Sequence, residues 1–138
     1  MAKDLYHKKV RLALEKEGWA ITDDPLHIDL EETFIEIDLA AEMLFAAERE
    51  GKKIAVEVKS FLGKSIISEF HTVIGQFADY RDALEESEPD RVLYLALPEN
   101  IYLHPIFQGR FIQKRLKKEN VNLILFNVEN KDTIQWIH

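Results

Sequence analysis

The sequence predicts a three-layer α/β domain with a mixed central sheet, and three observations carry that expectation. Ile66, Phe70, Val73, Ile74, Phe77, Tyr80 and Leu84 recur at helical spacing between Ser65 and Ser87, which makes one long buried stripe. Two runs, Arg91 to Leu97 and Val121 to Val128, are nearly all apolar in their middles, as strands covered on both faces are. Finally, the early strand candidates are separated by turn residues and the later ones by helical segments. Hairpins therefore join the first group, and parallel crossovers join the second.

Taken in order, Asp4 is placed to cap a helix running to about Glu17, with Gly18 to end it. Tyr6, Val10, Ala13 and Leu14 share one face of that helix, and Lys8, Lys9, Arg11, Glu15 and Lys16 take the other. Trp19 to Thr22 reads as a short strand closed by Asp23-Asp24-Pro25. Leu26 to Glu32 is ambiguous, because Leu26, Ile28 and Leu30 alternate with polar residues before Glu31-Glu32 break the pattern. Phe34 to Leu39 reads as a strand, with Phe34, Glu36 and Asp38 on one face. Ala40 to Glu50 has helical propensity but too short a pattern. Glu50-Gly51-Lys52 is a good turn, so the preferred reading is a hairpin joining Leu44–Arg49 to Lys53–Ser60. Pro89 stops the long helix, Pro105 opens another from about Ile106 to Glu119, and Thr133 to Ile137 makes a final edge strand.

The composition bounds what such a domain does. At 138 residues, with 46% hydrophobic and 31% charged residues, residues 1–138 fit one soluble globular domain with a core that needs no staples. No apolar run approaches the ~18 residues of a membrane helix. Met1-Ala2-Lys3-Asp4 has no apolar segment of the kind that marks export, so a cytoplasmic location is expected. The absence of cysteine excludes disulfides and thiolate metal sites, and the scattered His7, His27, His71, His104 and His138 give no zinc spacing. A net charge of −7 leaves no global cation excess for phosphates, so any nucleic-acid binding must be local, metal-bridged or supplied by a partner.

One stretch stands out chemically. In Ile54-Ala55-Val56-Glu57-Val58-Lys59-Ser60-Phe61, strand alternation puts Ala55, Glu57 and Lys59 on the face opposite Ile54, Val56 and Val58. The spelling acid-x-Lys also occurs at Glu50-Gly51-Lys52 and Glu129-Asn130-Lys131, but those copies straddle turn residues. Two acids on neighbouring strands, Asp38 and Glu57, can hold a hard divalent cation through oxygen. A lysine one pleat along, Lys59, would sit beside the metal's bound water and the charge developing on a phosphate.

These residues resemble the nuclease superfamily named for its PD-(D/E)xK signature. Within it they are similar to the XisH proteins of cyanobacteria, which are associated with excision of a DNA element during cell differentiation. The likeness runs over nearly the whole chain: Tyr6-His7, Gly18-Trp19, Asp24-Pro25-Leu26, Ile37-Asp38-Leu39 and Ala55 to Phe61. The resemblance implies a restriction-endonuclease-like fold, metal-binding acids at Asp38 and Glu57, a catalytic lysine at Lys59, and the Val58 carbonyl as a further ligand for Mg²⁺ or Mn²⁺. Gln76 and Tyr80, four apart on the long helix, look like the Gln-x-x-x-Tyr element that RecB-like nucleases place beside their metal. The alternative is that Tyr80 is core and Gln76 a boundary residue.

Ile37 stands where the signature has proline, and Glu57 takes the variable acid position. Many members of the superfamily keep the fold without cutting. The XisH resemblance implies a control factor acting with a second protein, XisI, and meeting DNA in that company; a homodimer is compatible with it. Three readings stay open: a Mg²⁺-dependent endonuclease, a non-catalytic scaffold that binds XisI and regulates a separate recombinase, and a small α/β protein whose acidic face binds a protein or a metal. Weaker candidates are the basic run Arg110, Lys114, Arg115, Lys117 and Lys118, the first-helix acids Glu15 and Glu17, and His7.

Overall fold

Ser65 decides where the longest helix begins, because its extended backbone lets its hydroxyl accept the Ser68 N–H at 3.2 Å. In the computed structural model, which describes residues 2–30, 34–35, 44–63, 65–129 and 132–138, this helix, α2, spans Ile66–Ser87. It buries Phe70, Val73, Ile74, Phe77, Tyr80, Ala83 and Leu84, the expected stripe with Ala83 added and Ile66 half-exposed at its start. The first helix, α1, spans Ala2–Lys16. Asp4 therefore lies inside it rather than capping it. Its end matches expectation: Gly18 takes φ +95°, and the Trp19 and Gly18 amides donate to the Leu14 and Glu15 carbonyls, each at 3.0 Å.

The strands are β1 (Ala20–Asp23), β2 (Ile28–Asp29), β3 (Phe34–Ile35), β4 (Leu44–Arg49), β5 (Lys52–Val58), β6 (Arg91–Pro98), β7 (Asn122–Phe126) and β8 (Ile134–Ile137). Six of them form one sheet in the order β1-β4-β5-β6-β7-β8, and β2 pairs with β3 in a separate ribbon. Pairing is antiparallel from β1 to β5, parallel from β5 to β7, and antiparallel again at β8. The expected mixed sheet, central hairpin and edge strand are thus present. The hairpin closes through Glu50 at φ +51° and Gly51 at φ +80°, the two left-handed residues that a tight turn between twisted strands requires. Of the ambiguous stretch after Pro25, Ile28 and Asp29 form β2, and Glu31 and Glu32 lie outside the described residues. Of the strand expected over Phe34–Leu39, Phe34 and Ile35 are strand and the rest, Asp38 included, lies outside the described residues.

The third expected helix is corrected. A single turn, α3 (Glu99–Tyr102), follows β6, and α4 spans Arg110–Lys118. Between them the chain turns. His104 Nδ1 accepts the Ile106 N–H at 3.1 Å, and Gln108 donates to the Tyr102 carbonyl at 2.6 Å, so side chains take backbone partners that a helix would have used. Leu103 and Ile106 are exposed there, while Phe107 turns into the core. Asn120, at φ +53°, closes α4 as Gly18 closes α1, with the Val121 amide donating to Leu116 at 2.9 Å.

Two cores flank the sheet. Val10, Leu14 and Trp19 pack with Phe45, Ile54, Val56, Val58, Ala96 and Phe126 on the α1 side. The α2 stripe packs with Ala55, Leu93, Leu95, Leu97 and Leu125 on the other, joined by Phe107, Ile112 and Leu116 from the α4 region. Alternation along β5 and β6 sends their residues to one core or the other, so the architecture is three layers. Among the described residues no helix is long and apolar enough to cross a membrane.

Candidate functional site

The parity of β5 decides which layer meets the chemistry. Ala55 belongs to the α2-side core, whereas Ile54, Val56 and Val58 belong to the α1-side core. Two and four residues on from Ala55, Glu57 and Lys59 come to the face that α2 covers. Glu57 is fully buried and Lys59 is 6% exposed, with Ser60 buried beside it. Charged side chains are rarely this enclosed unless paired or ligating.

The backbone fixes both residues independently of their side chains. Glu57 lies opposite Leu44 on β4 and Leu95 on β6. The Lys59 amide donates to the Ala96 carbonyl at 2.8 Å, one residue beyond the end of β5. Phe61 then adopts φ +56°, which a bulky residue tolerates only under constraint. Its ring is 3% exposed and meets Phe107 edge-on at 5.8 Å. The chain is therefore turned sharply just after the lysine, at the carboxyl end of a parallel pair. Open α/β sheets place their ligand crevices at such ends. Nothing in the sequence pattern signalled the left-handed Phe61.

Gln76 and Tyr80 both lie on α2. Tyr80 is 7% exposed within the core, and Gln76 sits at the rim of the buried stripe with its side-chain carbonyl oxygen buried and lacking a hydrogen-bond partner among the described residues. Val58 directs its side chain to the α1 core, so only its carbonyl is available as a ligand. Asp38 lies outside the described residues. Among those that are described, no three His, Asp or Glu side chains cluster in a way that would hold a metal.

The weaker candidates sort elsewhere. His7 is on the α1 face, its Nε2 3.0 Å from the Asp24 carboxylate and its ring edge-on to Phe45 at 5.2 Å. Arg11 donates to the same carboxylate at 2.6 Å. His7 therefore clasps α1 to the turn before the cis Asp24-Pro25 bond, across the sheet from Glu57. Glu15 lies 3.8 Å from Arg11, and Glu17, just past the end of α1, accepts the Trp136 indole N–H at 3.1 Å, so both acids are engaged at the carboxyl end of α1, away from Lys59. On α4, Arg110, Lys114, Lys117 and Lys118 are exposed and Arg115 pairs with Glu119 at 3.6 Å, so the run is a solvated face over buried Ile112 and Leu116.

Comparison with known proteins adds a family to this geometry. The family described as XisH protein matches residues 1–134. The chain is similar to a solved XisH family protein from Nostoc punctiforme PCC 73102, at 47% identity and a TM-score of 0.87, over 97% of this chain and 99% of that one. It is also similar to a solved fdxN element excision controlling factor protein from Anabaena variabilis, at 48% identity and a TM-score of 0.87, over 98% and 99%. Among curated proteins no match is found.

Proposed function

The chain belongs to the XisH family, and from that premise we propose that it is a DNA element excision controlling factor with a restriction-endonuclease-like domain of the PD-(D/E)xK type. The observation that carries the reading is the burial of Glu57 and Lys59 on one sheet face, at the carboxyl end of the parallel β5–β6 pair. The excision role itself comes from the name of the Anabaena variabilis relative.

On this reading Asp38, Glu57 and the Val58 carbonyl offer a set of hard oxygen donors suited to Mg²⁺ or Mn²⁺. A divalent ion held there would supply charge neutralisation at a phosphoryl group and a more acidic water. Lys59 would present its ammonium to the negative charge that develops as the phosphodiester is attacked. Gln76 and Tyr80 would orient the substrate from α2. A buried amide oxygen in need of a donor, as at Gln76, fits that role better than a passive boundary position does.

A second reading keeps the fold and drops the chemistry: a scaffold that binds XisI and regulates a separate recombinase. The net charge of −7 favours it, because an acidic chain meets DNA poorly without a basic partner. Both readings include XisI as partner. The test is a cleavage assay of the purified protein, alone and with XisI, on single-stranded, duplex and branched DNA with Mg²⁺ or Mn²⁺, against Lys59→Ala. Metal-dependent cleavage lost in the variant supports the enzyme. Equal cleavage by the variant traces it to a contaminant, and no cleavage with either preparation leaves the scaffold.

A further inference from the structure

The opposite end of β5 carries a cleft of about 440 Å³, within the size range of small-molecule sites. Strand rise puts Lys53 roughly 20 Å from Lys59, so this cleft is separate from the site above. Its walls include Trp19, Tyr94 and Trp136 together with Arg49, Lys52 and Lys53. The two indoles lie 5.7 Å apart, tilted by 31°, and Tyr94 meets Trp136 edge-on at 5.0 Å. Glu17 anchors Trp136 through its indole N–H. The Trp19 indole N–H is buried and has no acceptor among the described residues.

The cations are placed by the fold rather than scattered. Lys52 and Lys53 open β5 directly after the Glu50-Gly51 turn, and all three basic residues are exposed. Arg49 runs along the Gly18 backbone, where a Cβ would come within 3.3 Å of its Nε. Asp90 and Glu17 are the acids of the wall, and Glu17 is already engaged with Trp136. In a chain of net charge −7, three cations beside three aromatic rings stand against the background. Rings stack on the π-face of a planar heterocycle, and Arg and Lys donate hydrogen bonds to a phosphate.

We propose that this cleft binds a nucleotide, with its base against Trp136 and its phosphate on Lys52, Lys53 and Arg49. The same chemistry is offered by a free mononucleotide and by one unit of a DNA single strand.

The chain has two tryptophans, both in this wall, so the two ¹⁵N-indole resonances report on the cleft alone. Titration with dAMP is expected to shift both, deoxyadenosine to shift them less, and inorganic phosphate to leave them in place. Lys52→Glu with Lys53→Glu should weaken dAMP binding by roughly tenfold at unchanged melting temperature, since both side chains are exposed. Lys59→Ala should bind dAMP as the parent does. A short oligo-dA that binds more tightly than dAMP identifies the single strand as the source; one that binds no more tightly identifies the free nucleotide. The proposal is overturned if millimolar dAMP moves neither resonance or if phosphate alone moves them equally. It is also overturned if the charge reversals change nothing, or if an acidic peptide binds more tightly than either nucleotide. Trp136→Leu is a stricter test of the stacking wall, and the charge reversals decide the matter if that variant does not fold.

Discussion

The amide of Lys59 donates to the carbonyl of Ala96 at 2.8 Å, so the parallel ladder carries the lysine one residue past the end of β5. Its position is set by backbone, and its side chain can be changed without unpicking the sheet. Lys59→Met keeps the length and removes the ammonium. Circular dichroism should keep the parent's shape, while any metal-dependent cleavage falls by about 10²-fold or more. Parent-like cleavage by this variant would remove the lysine from the chemistry.

Phe61 follows two residues later at φ +56°, held there by its contact with Phe107. Core burial offsets the cost of the left-handed backbone. Phe61→Ala should lose about 3 kcal/mol of stability to urea, from the lost ring and the cavity it leaves. A loss below about 1 kcal/mol would mean that the ring does not hold the turn.

Asp24 receives both His7 and Arg11, and its side chain is only 15% exposed. Asp24→Ala should therefore cost about 2 kcal/mol, the scale for losing hydrogen bonds to a charged group. In a double-mutant cycle with Arg11→Ala, the two losses should fail to add by roughly 1 kcal/mol. Strict additivity would show that the contact is an exposed pair of little consequence.

These predictions separate what the residue pattern could tell from what it could not. The α2 stripe and the alternation of β5 were legible because burial repeats at 3.6 and 2 residues, and tertiary packing agrees with both. The face shared by Ala55, Glu57 and Lys59 followed from the same alternation. The Asp4 cap was misplaced because a favourable capping residue does not forbid helix upstream of it. Pro105 misled for a related reason. It is compatible with a helix start, but the His104 and Gln108 side chains bond the local backbone and hold turns instead. The clasp on Asp24 and the aromatic cleft were illegible, since they join residues 17 and more than 100 apart and no local period records such pairings.

Tyr94 gives a pH dependence with a definite sign. Burial raises its pKa above the ordinary 10.0, because the charged phenolate is disfavoured inside the fold. A raised folded-state pKa means that the folded protein holds the proton more tightly than the unfolded chain does. The associated stability is fully present below pH 10 and is lost as pH rises through the folded value. Tyr94→Phe should flatten that alkaline decline in denaturation midpoints measured from pH 9 upward. A decline of the same steepness in the variant would assign it to other groups.

The enzyme and the scaffold differ most simply in whether the buried acid is a metal ligand. Glu57 is fully buried, and Asp38, its expected companion, is an acid as well. Two carboxylates brought together repel at short range unless a cation stands between them. An ion that binds the folded chain and not the unfolded one stabilises it by mass action, by roughly 2.7 kcal/mol at a hundred times its dissociation constant. That amounts to several degrees in melting temperature for a domain of this size. On the enzyme reading, Mg²⁺ or Mn²⁺ raises the midpoint of the parent and of Lys59→Ala, and does not raise that of Asp38→Ala or Glu57→Gln. If both ions at saturation leave the parent midpoint unmoved, the acids are not a metal site, and the scaffold reading accounts for the same buried residues without chemistry.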